Sequence, residues 1–156
     1  MRYLTNHDLI WINEMVTGKV QPYNYVTLEA CMAGQYAYGP SADVLPQAAT
    51  LLERLLTKAA FLEGNRRTAF VATVAFLNAN GYTIEGEEAS VAQMFEAVSE
   101  GRLTALQVVT NAARPADDSA QSGGATLRQL ISHECSRHAP VLRLLTASDG
   151  AVLMRR

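Results

Sequence analysis

Leu9, Ile10, Ile12 and Met15 recur at helical spacing behind Thr5 and Asp8, a pairing that reads as an N-terminal cap, and Gly18 supplies a stop. The pattern predicts a first helix over residues 6–17. Residues 26–33 read as a second, short helix. Residues 34–41, rich in Gly, Pro and Ser and carrying Tyr36 and Tyr38, read as a loop placed to cover a site. From residue 44 to residue 58, Leu45, Ala48, Ala49, Leu51, Leu52, Leu55 and Leu56 form one apolar face, while Glu53 and Arg54 lie on the wet one. Residues 69–80 differ, because Phe70, Val71, Ala72, Val74, Ala75, Phe76 and Leu77 leave almost no polar face. A helix apolar all round belongs in the middle of a bundle.

Beyond Asn80 and Gly81, residues 82–84 predict a short strand, residues 89–99 a helix closed by Gly101, and residues 104–113 a further helix. Residues 114–124 have linker composition. Helical periodicity resumes over residues 125–145, kinked or broken by Pro140, and residues 148–154 read as a small strand after a turn. No internal repeat is visible. The fold expected is all-α (mainly α), a bundle around a buried helix over residues 66–80, with short strand pieces and a C-terminal helical extension (125–156) packed on the same domain.

A chain of 156 residues suits a single core. With 49% apolar and 18% charged residues and a net charge of -2, it lacks both the basic excess of a nucleic-acid binder and the polarity of a disordered chain. No run approaches the roughly 20 apolar residues of a membrane span. Residues 1–15 mix His7, Asp8 and Glu14 into their apolar positions, unlike a signal peptide. Cys31 and Cys135 are expected as two reduced thiols. These features predict a cytoplasmic protein with neither nucleic acid nor membrane as its partner.

Arg66 and Arg67 stand at the start of the most buried helix, where cations face the positive end of the dipole at a cost of about 0.3–1 kcal/mol each. The placement is sensible if an anion sits there, and a phosphate is the natural guest. Gly64 then lets the backbone approach the anion, and Asn65 caps the helix or donates to the ligand. The plainer reading pairs Glu63 with one arginine and leaves both arginines to solvate a helix end. A second cluster, His133-Glu-Cys-Ser-Arg-His138, spaces its histidines by five, not the four that would align two ligands on one helical face. It therefore reads as an ordinary polar helix, not a zinc site.

Residues 59–69, Ala-Ala-Phe-Leu-Glu-Gly-Asn-Arg-Arg-Thr-Ala, resemble the Fic/Doc signature His-Pro-Phe-x-x-Gly-Asn-Lys-Arg-Thr-Ala, with matches at Phe61, Gly64, Asn65, Arg67, Thr68 and Ala69. Residues 28–33 and 76–82 extend the likeness, so that residues 1–113 form the similar domain. The resemblance implies a helical bundle with a short β-hairpin flap. It implies nucleotide phosphates held by Gly64, Asn65, Arg66, Arg67 and Thr68, Mg2+ held with the help of Glu63, and a target segment positioned by flap residues Gln35, Tyr36, Ala37 and Tyr38. The activity implied is transfer of a phosphoryl or adenylyl group from ATP to a hydroxyl of a target protein. Translation factors are among such targets, and an antitoxin is a partner of the toxin members.

The pattern breaks where the chemistry is centred. Ala59 takes the place of the catalytic histidine, and loss of a positioned base costs about 100- to 10,000-fold in rate. Ala60 replaces a proline, Arg66 a lysine, and Phe70 stands where AMP-transferring members carry a second arginine, which tilts the likeness toward Doc. Three readings of Ala59 stay open: a natural pseudoenzyme, an engineered inactive form, or an enzyme with another base. Only His7, His133 and His138 offer an imidazole, and none is near the motif in sequence. The function expected is that of an impaired, toxin-like transferase; the alternative is a non-catalytic module that binds nucleotide or a protein. For residues 125–156, a homodimer contact, an intramolecular block and plain packing stay open. No clean version of the family's inhibitory helix motif is present.

Overall fold

The computed structural model describes residues 2–36, 43–116 and 125–146, together with Asp149. It is mainly helical: α1 (Asn6–Thr17), α2 (Tyr25–Met32), a 3-10 turn (Ala33–Gln35), α3 (Val44–Lys58), α4 (Asn65–Ala79), α5 (Glu88–Ser99), α6 (Ala105–Ala112), α7 (Leu127–Arg137) and α8 (Ala139–Thr146). Five of these helices start on a cap supplied by the preceding residue. Thr5, Asn24, Asp43, Thr104 and Thr126 each accept a hydrogen bond from a backbone N–H of the first turn, and Thr5, Thr104 and Thr126 complete capping boxes with Asp8, Gln107 and Gln129. Gly18 ends α1 in the left-handed region at φ 85°.

The helix expected over residues 125–145 is two helices. α7 stops at His138, and Pro140, which has no N–H to continue it, falls in the first turn of α8. The strand expected at residues 82–84 is β1 (Tyr82–Ile84), and its antiparallel partner is β2 (Ala113–Pro115), with Tyr82, Thr83 and Ile84 opposite Pro115, Arg114 and Ala113. Arg114 and Pro115, read from composition as linker, thus belong to a ladder that ties the end of α4 to the end of α6. This pair is not a flap hairpin: Gln35 ends the 3-10 turn, and the expected flap residues Ala37 and Tyr38 lie outside the described residues. The strand expected over residues 148–154 also lies outside them, apart from Asp149.

α4 is the axis of the structure. Every residue from 68 to 77 is buried, as an all-round apolar pattern demands. α3, α1, α7, α5 and α8 all pack on it, and Ile131, Val141 and Leu145 place the C-terminal helices in the same core as Leu9, Leu52 and Phe95. Phe70 meets Phe95 edge-on at 4.8 Å and His138 edge-on at 5.2 Å. The buried Glu134 receives a 2.6 Å hydrogen bond from Asn78 Nδ2 and lies 3.0 Å from His138 Nε2, so that α7 is tied to α4 by a side-chain bond inside the bundle. Among the described residues no helix is long and apolar enough to cross a membrane.

Phe70→Ala is expected to lower the unfolding free energy by about 3–5 kcal/mol, because it empties the contact between α4, Phe95 on α5 and His138 at the end of α7. Urea denaturation followed by circular dichroism measures this, and a loss under 1 kcal/mol would show that the α4 core can collapse around the gap.

Candidate functional site

The first turn of α4 lies against the last turn of α1. Gly64, the residue before α4, has φ 78° and offers no side-chain cap. Its lack of a Cβ is required by packing: a methyl group there would overlap Thr17 Cγ2 and come within 3.2 Å of Asn13 Nδ2. The glycine serves the α1–α4 junction, a different role from the close approach to an anion expected from sequence.

Asn65 and Thr68 also turn inward. The Asn65 side chain accepts from Phe61 N at 3.1 Å and donates to Phe61 O at 2.7 Å, which closes the loop before α4 on itself. Both ends of the amide are consumed. Thr68 is buried, and its hydroxyl accepts from Asn13 Nδ2 at 3.1 Å, while the same Nδ2 donates to Glu63 O at 2.8 Å. Asn13 thus fastens the loop to α1. It carries no signal in the sequence beyond being a polar residue on an apolar helix.

What converges on one point is the donor set of Arg66 and Arg67. Arg66 N donates to Asp149 Oδ1 at 2.9 Å, Arg67 N donates to Asp149 Oδ2 at 3.0 Å, and Arg67 Nε donates to the same oxygen at 2.9 Å. The Asp149 side chain is only 3% exposed and that of Arg67 13%. Arg67 Nη1 also donates to Val16 O at 2.6 Å, near the C-terminus of α1, where a helix leaves carbonyls without partners. One guanidinium therefore joins the negative end of α1 to an anion on the positive end of α4. Asp149 was not among the residues expected at the site, since nothing in the sequence around it announces a contact across more than 80 residues. The Arg66 guanidinium and the Glu63 carboxylate make no hydrogen bond to another described residue.

Beside this anion seat is a cavity of about 310 Å³ lined by Met15, Val16, Arg67, Cys135, Leu142, Arg143 and Thr146. Its apolar walls and two arginines suit an organic anion. Burial, with a smaller contribution from the Glu134 charge, pushes the Cys135 thiol up to about 11. Burial also raises the Cys31 thiol, against the lowering effect of Lys58 and Arg54. Both cysteines are free thiols.

Ala59 ends α3 in the left-handed region at φ 48°, a conformation normally left to Gly or Asn at a helix end. It lines a separate cavity of about 270 Å³ with Pro22, Tyr23, Asn24, Ala60, Phe61 and Leu62. The walls are joined by a short antiparallel bridge in which Asn24 N donates to Ala60 O at 2.9 Å and Leu62 N donates to Pro22 O at 3.0 Å. No histidine lines this cavity. His7 and His133 are exposed elsewhere, and His138 is buried against Phe70 and Glu134. Among the described residues no three of His, Cys, Asp and Glu gather as a metal-ligand set.

Of the expected flap residues, Gln35 is fully buried. Its side chain accepts from Leu4 N at 2.8 Å and donates to Leu4 O at 2.6 Å, and its own carbonyl accepts from Gln47 Nε2 at 2.9 Å. It is a fastener for the chain start, with no atom left for a target. Tyr36 is exposed and stacks on Tyr3 at 4.7 Å, at the edge of a cavity of about 550 Å³ between α2 and the start of α1. Tyr23, Tyr25 and Val26 are exposed as well.

No family model, curated protein or solved structure matches the chain.

Gly64→Ala is expected to destabilise the protein by more than the roughly 1–2 kcal/mol that a left-handed alanine costs, because Thr17 is in the way. In the Thr17→Ser background, which removes Cγ2, the loss should fall to that backbone cost plus the smaller one of crowding Asn13 Nδ2. Equal losses in both backgrounds would mean that packing is not why a glycine stands there. For Cys135, a pKa of about 11 lowers the thiolate fraction at pH 8.5 by on the order of 100-fold, and the more basic thiolate recovers about tenfold in intrinsic reactivity. Alkylation by iodoacetamide should then run roughly tenfold slower than for a free cysteine and accelerate as the pH rises toward 11, which mass spectrometry of the labelled peptide can follow.

Proposed function

We propose that this chain is a Fic/Doc-like nucleotide-binding protein in which the first turn of α4 takes the phosphates of ATP and transfer to a protein hydroxyl is impaired by Ala59. The observation that carries the reading is the fan of Arg66 N, Arg67 N and Arg67 Nε, which already meets on a single anionic group. A phosphate presents the same tight cluster of acceptor oxygens that a carboxylate does, and a helix N-terminus with a guanidinium beside it favours either. The adjoining cavity of about 310 Å³ has room for part of the rest of a nucleotide, and the Arg143 side chain adds positive charge to it.

Mg2+ bound to a nucleotide keeps several waters and needs only one or two carboxylates besides the phosphates. Glu63, two residues before α4 and with its carboxylate uncommitted among the described residues, fits that role. The metal would neutralise developing charge on the phosphates, while Arg66 and Arg67 hold them in place. Ala59 has no atom to take a proton from a target hydroxyl, so binding outlasts chemistry in this reading. The exposed Tyr23, Tyr25, Val26 and Tyr36, around the cavities by α2 and by Ala59, are the apolar surface on which a target such as a translation factor, or an antitoxin, would lie. Cytoplasmic partners of this kind accord with the two free thiols.

Calorimetric titration with MgATP tests the reading. Saturable binding is expected, weakened at least tenfold by Arg67→Ala and also reduced by Arg66→Ala, whose guanidinium makes no hydrogen bond to another described residue. Ala59→His should raise transfer of label from ATP to protein by roughly 100-fold or more. Absence of arginine-dependent binding, both in the unsubstituted chain and after removal of the Asp149 carboxylate, would reduce the motif to the cap of a core helix.

A further inference from the structure

We propose that the cavity of about 310 Å³ lined by residues of α1, α4, α7 and α8 is a binding site for a small organic monoanion, a carboxylate on an aryl or alkyl body. The site needs none of the backbone donors of α4, so it stands apart from the phosphate reading. It also requires no part of the chain to move.

The charge of the cavity selects the charge of its guest. Among the described residues its lining holds two ionised groups, Arg67 and Arg143, and no carboxylate. Arg67 is already neutralised, with Nε on Asp149 Oδ2 at 2.9 Å and Nη1 on Val16 O at 2.6 Å. Arg143, exposed in the last turn of α8, makes no hydrogen bond or ion pair with another described residue. One positive charge is thus left unbalanced, and it calls for one negative charge. Groups that would repel an anion are quieted. Val16 O is taken by Arg67, and Leu142 O accepts from the Thr146 hydroxyl at 2.7 Å. Burial pushes the Cys135 thiol up to about 11, so at neutral pH the sulfur adds no charge. The Glu134 carboxylate, whose charge reaches Cys135, is turned to Asn78 Nδ2 at 2.6 Å and lies 3.0 Å from His138 Nε2.

The body of the guest follows from the other walls. Met15, Val16, Cys135 and Leu142 are apolar, and the volume lies at the lower end of the roughly 300–1,000 Å³ of small-molecule sites. Such a space suits a single ring or a short alkyl chain. The mouth is at the surface, where Met15 is 39% exposed and Arg143 is exposed as well. An apolar body gains by leaving water, and a carboxylate meeting the Arg143 guanidinium makes a charge-assisted bond that fixes its orientation. A guest lacking either half forfeits that half of the recognition.

The experiment is calorimetric titration of the unsubstituted chain with phenylbutyrate, with its uncharged amide, and with acetate, which carries the charge without the body. Saturable binding of phenylbutyrate, roughly tenfold or more tighter than that of either comparison compound, is expected, and Arg143→Gln should weaken it by a similar factor. Arg143 has no partner among the described residues, so this variant keeps the fold, which circular dichroism verifies. Because Cys135 lines the cavity, saturating phenylbutyrate should also slow its alkylation by iodoacetamide, with the labelling of Cys31, buried between α2 and α3, unchanged.

No saturable binding of phenylbutyrate would overturn the site. Equal affinity for the amide, or for the Arg143→Gln chain, would leave an apolar crevice that does not recognise charge, and would overturn it as an anion site. Binding that leaves the labelling of Cys135 unchanged would put the ligand elsewhere and overturn it too. None of these results bears on arginine-dependent binding of MgATP at the first turn of α4, so failure of either reading is seen apart from failure of the other.

Discussion

A helix buried on every side cannot leave its ends to water, and the structure turns on how α4 meets that constraint. From residue 68 to residue 77 nothing on it reaches solvent, so its first turn opens in a place where an unpaired N–H costs about 1–3 kcal/mol. A buried cationic side chain at the same point would add to the cost. The chain answers with one carboxylate that satisfies two of the N–H groups and the nearest guanidinium together. Through Arg67, which also donates to Val16 O, the same group is linked to the α1–α4 junction, and it ties Asp149, beyond α8, to the first turn of α4.

The same junction is what makes the turn rigid. Asn13 on α1 reaches both the carbonyl of Glu63 and the hydroxyl of Thr68, and Asn65 closes the preceding residues through Phe61. Gly64 is fitted against Thr17. Motif positions that read as ligand contacts are thereby divided between two tasks: Gly64, Asn65 and Thr68 shape the turn, and Arg66 and Arg67 supply the donors. A preorganised oxyanion seat needs both, since donors on a loose turn would lose their alignment in reorganising.

How much of this could be read in advance depends on how local each cause is. Helices α1 and α3 coincide with the expected residues 6–17 and 44–58, because Thr5 with Asp8, Asp43, and the apolar stripes are all short-range features. The central place of α4 was equally legible, from an apolar run that leaves no wet face. Strand β2 was not, because Ala113 closes an expected helix while Arg114 and Pro115 have linker composition, and it is pairing with β1 that makes the three a strand. Gln35 looked like a loop residue and is buried, since the backbone of Leu4, 31 positions away, needs its amide. Asn13 and Asp149 escaped for the same reason: each acts across 50 or more residues, where sequence spacing says nothing of distance. The anion implied by two arginines on a buried N-terminus was legible as a need, and its source was not.

Position 59 stands apart from this network. Ala59 ends α3 and faces the cavity by Tyr23, while the turn that carries the donors is held by Phe61, Asn65 and Asn13. None of those bonds passes through the side chain at 59, and the bridge between residues 22–24 and 60–62 is made by backbone groups alone. A change of side chain at that point therefore alters what can accept a proton in the cavity without loosening the seat on α4. The side chain at 59 and the donors on α4 thus belong to different parts of the loop, so that in the proposed reading an alanine at 59 takes nothing from the donors of Arg66 and Arg67.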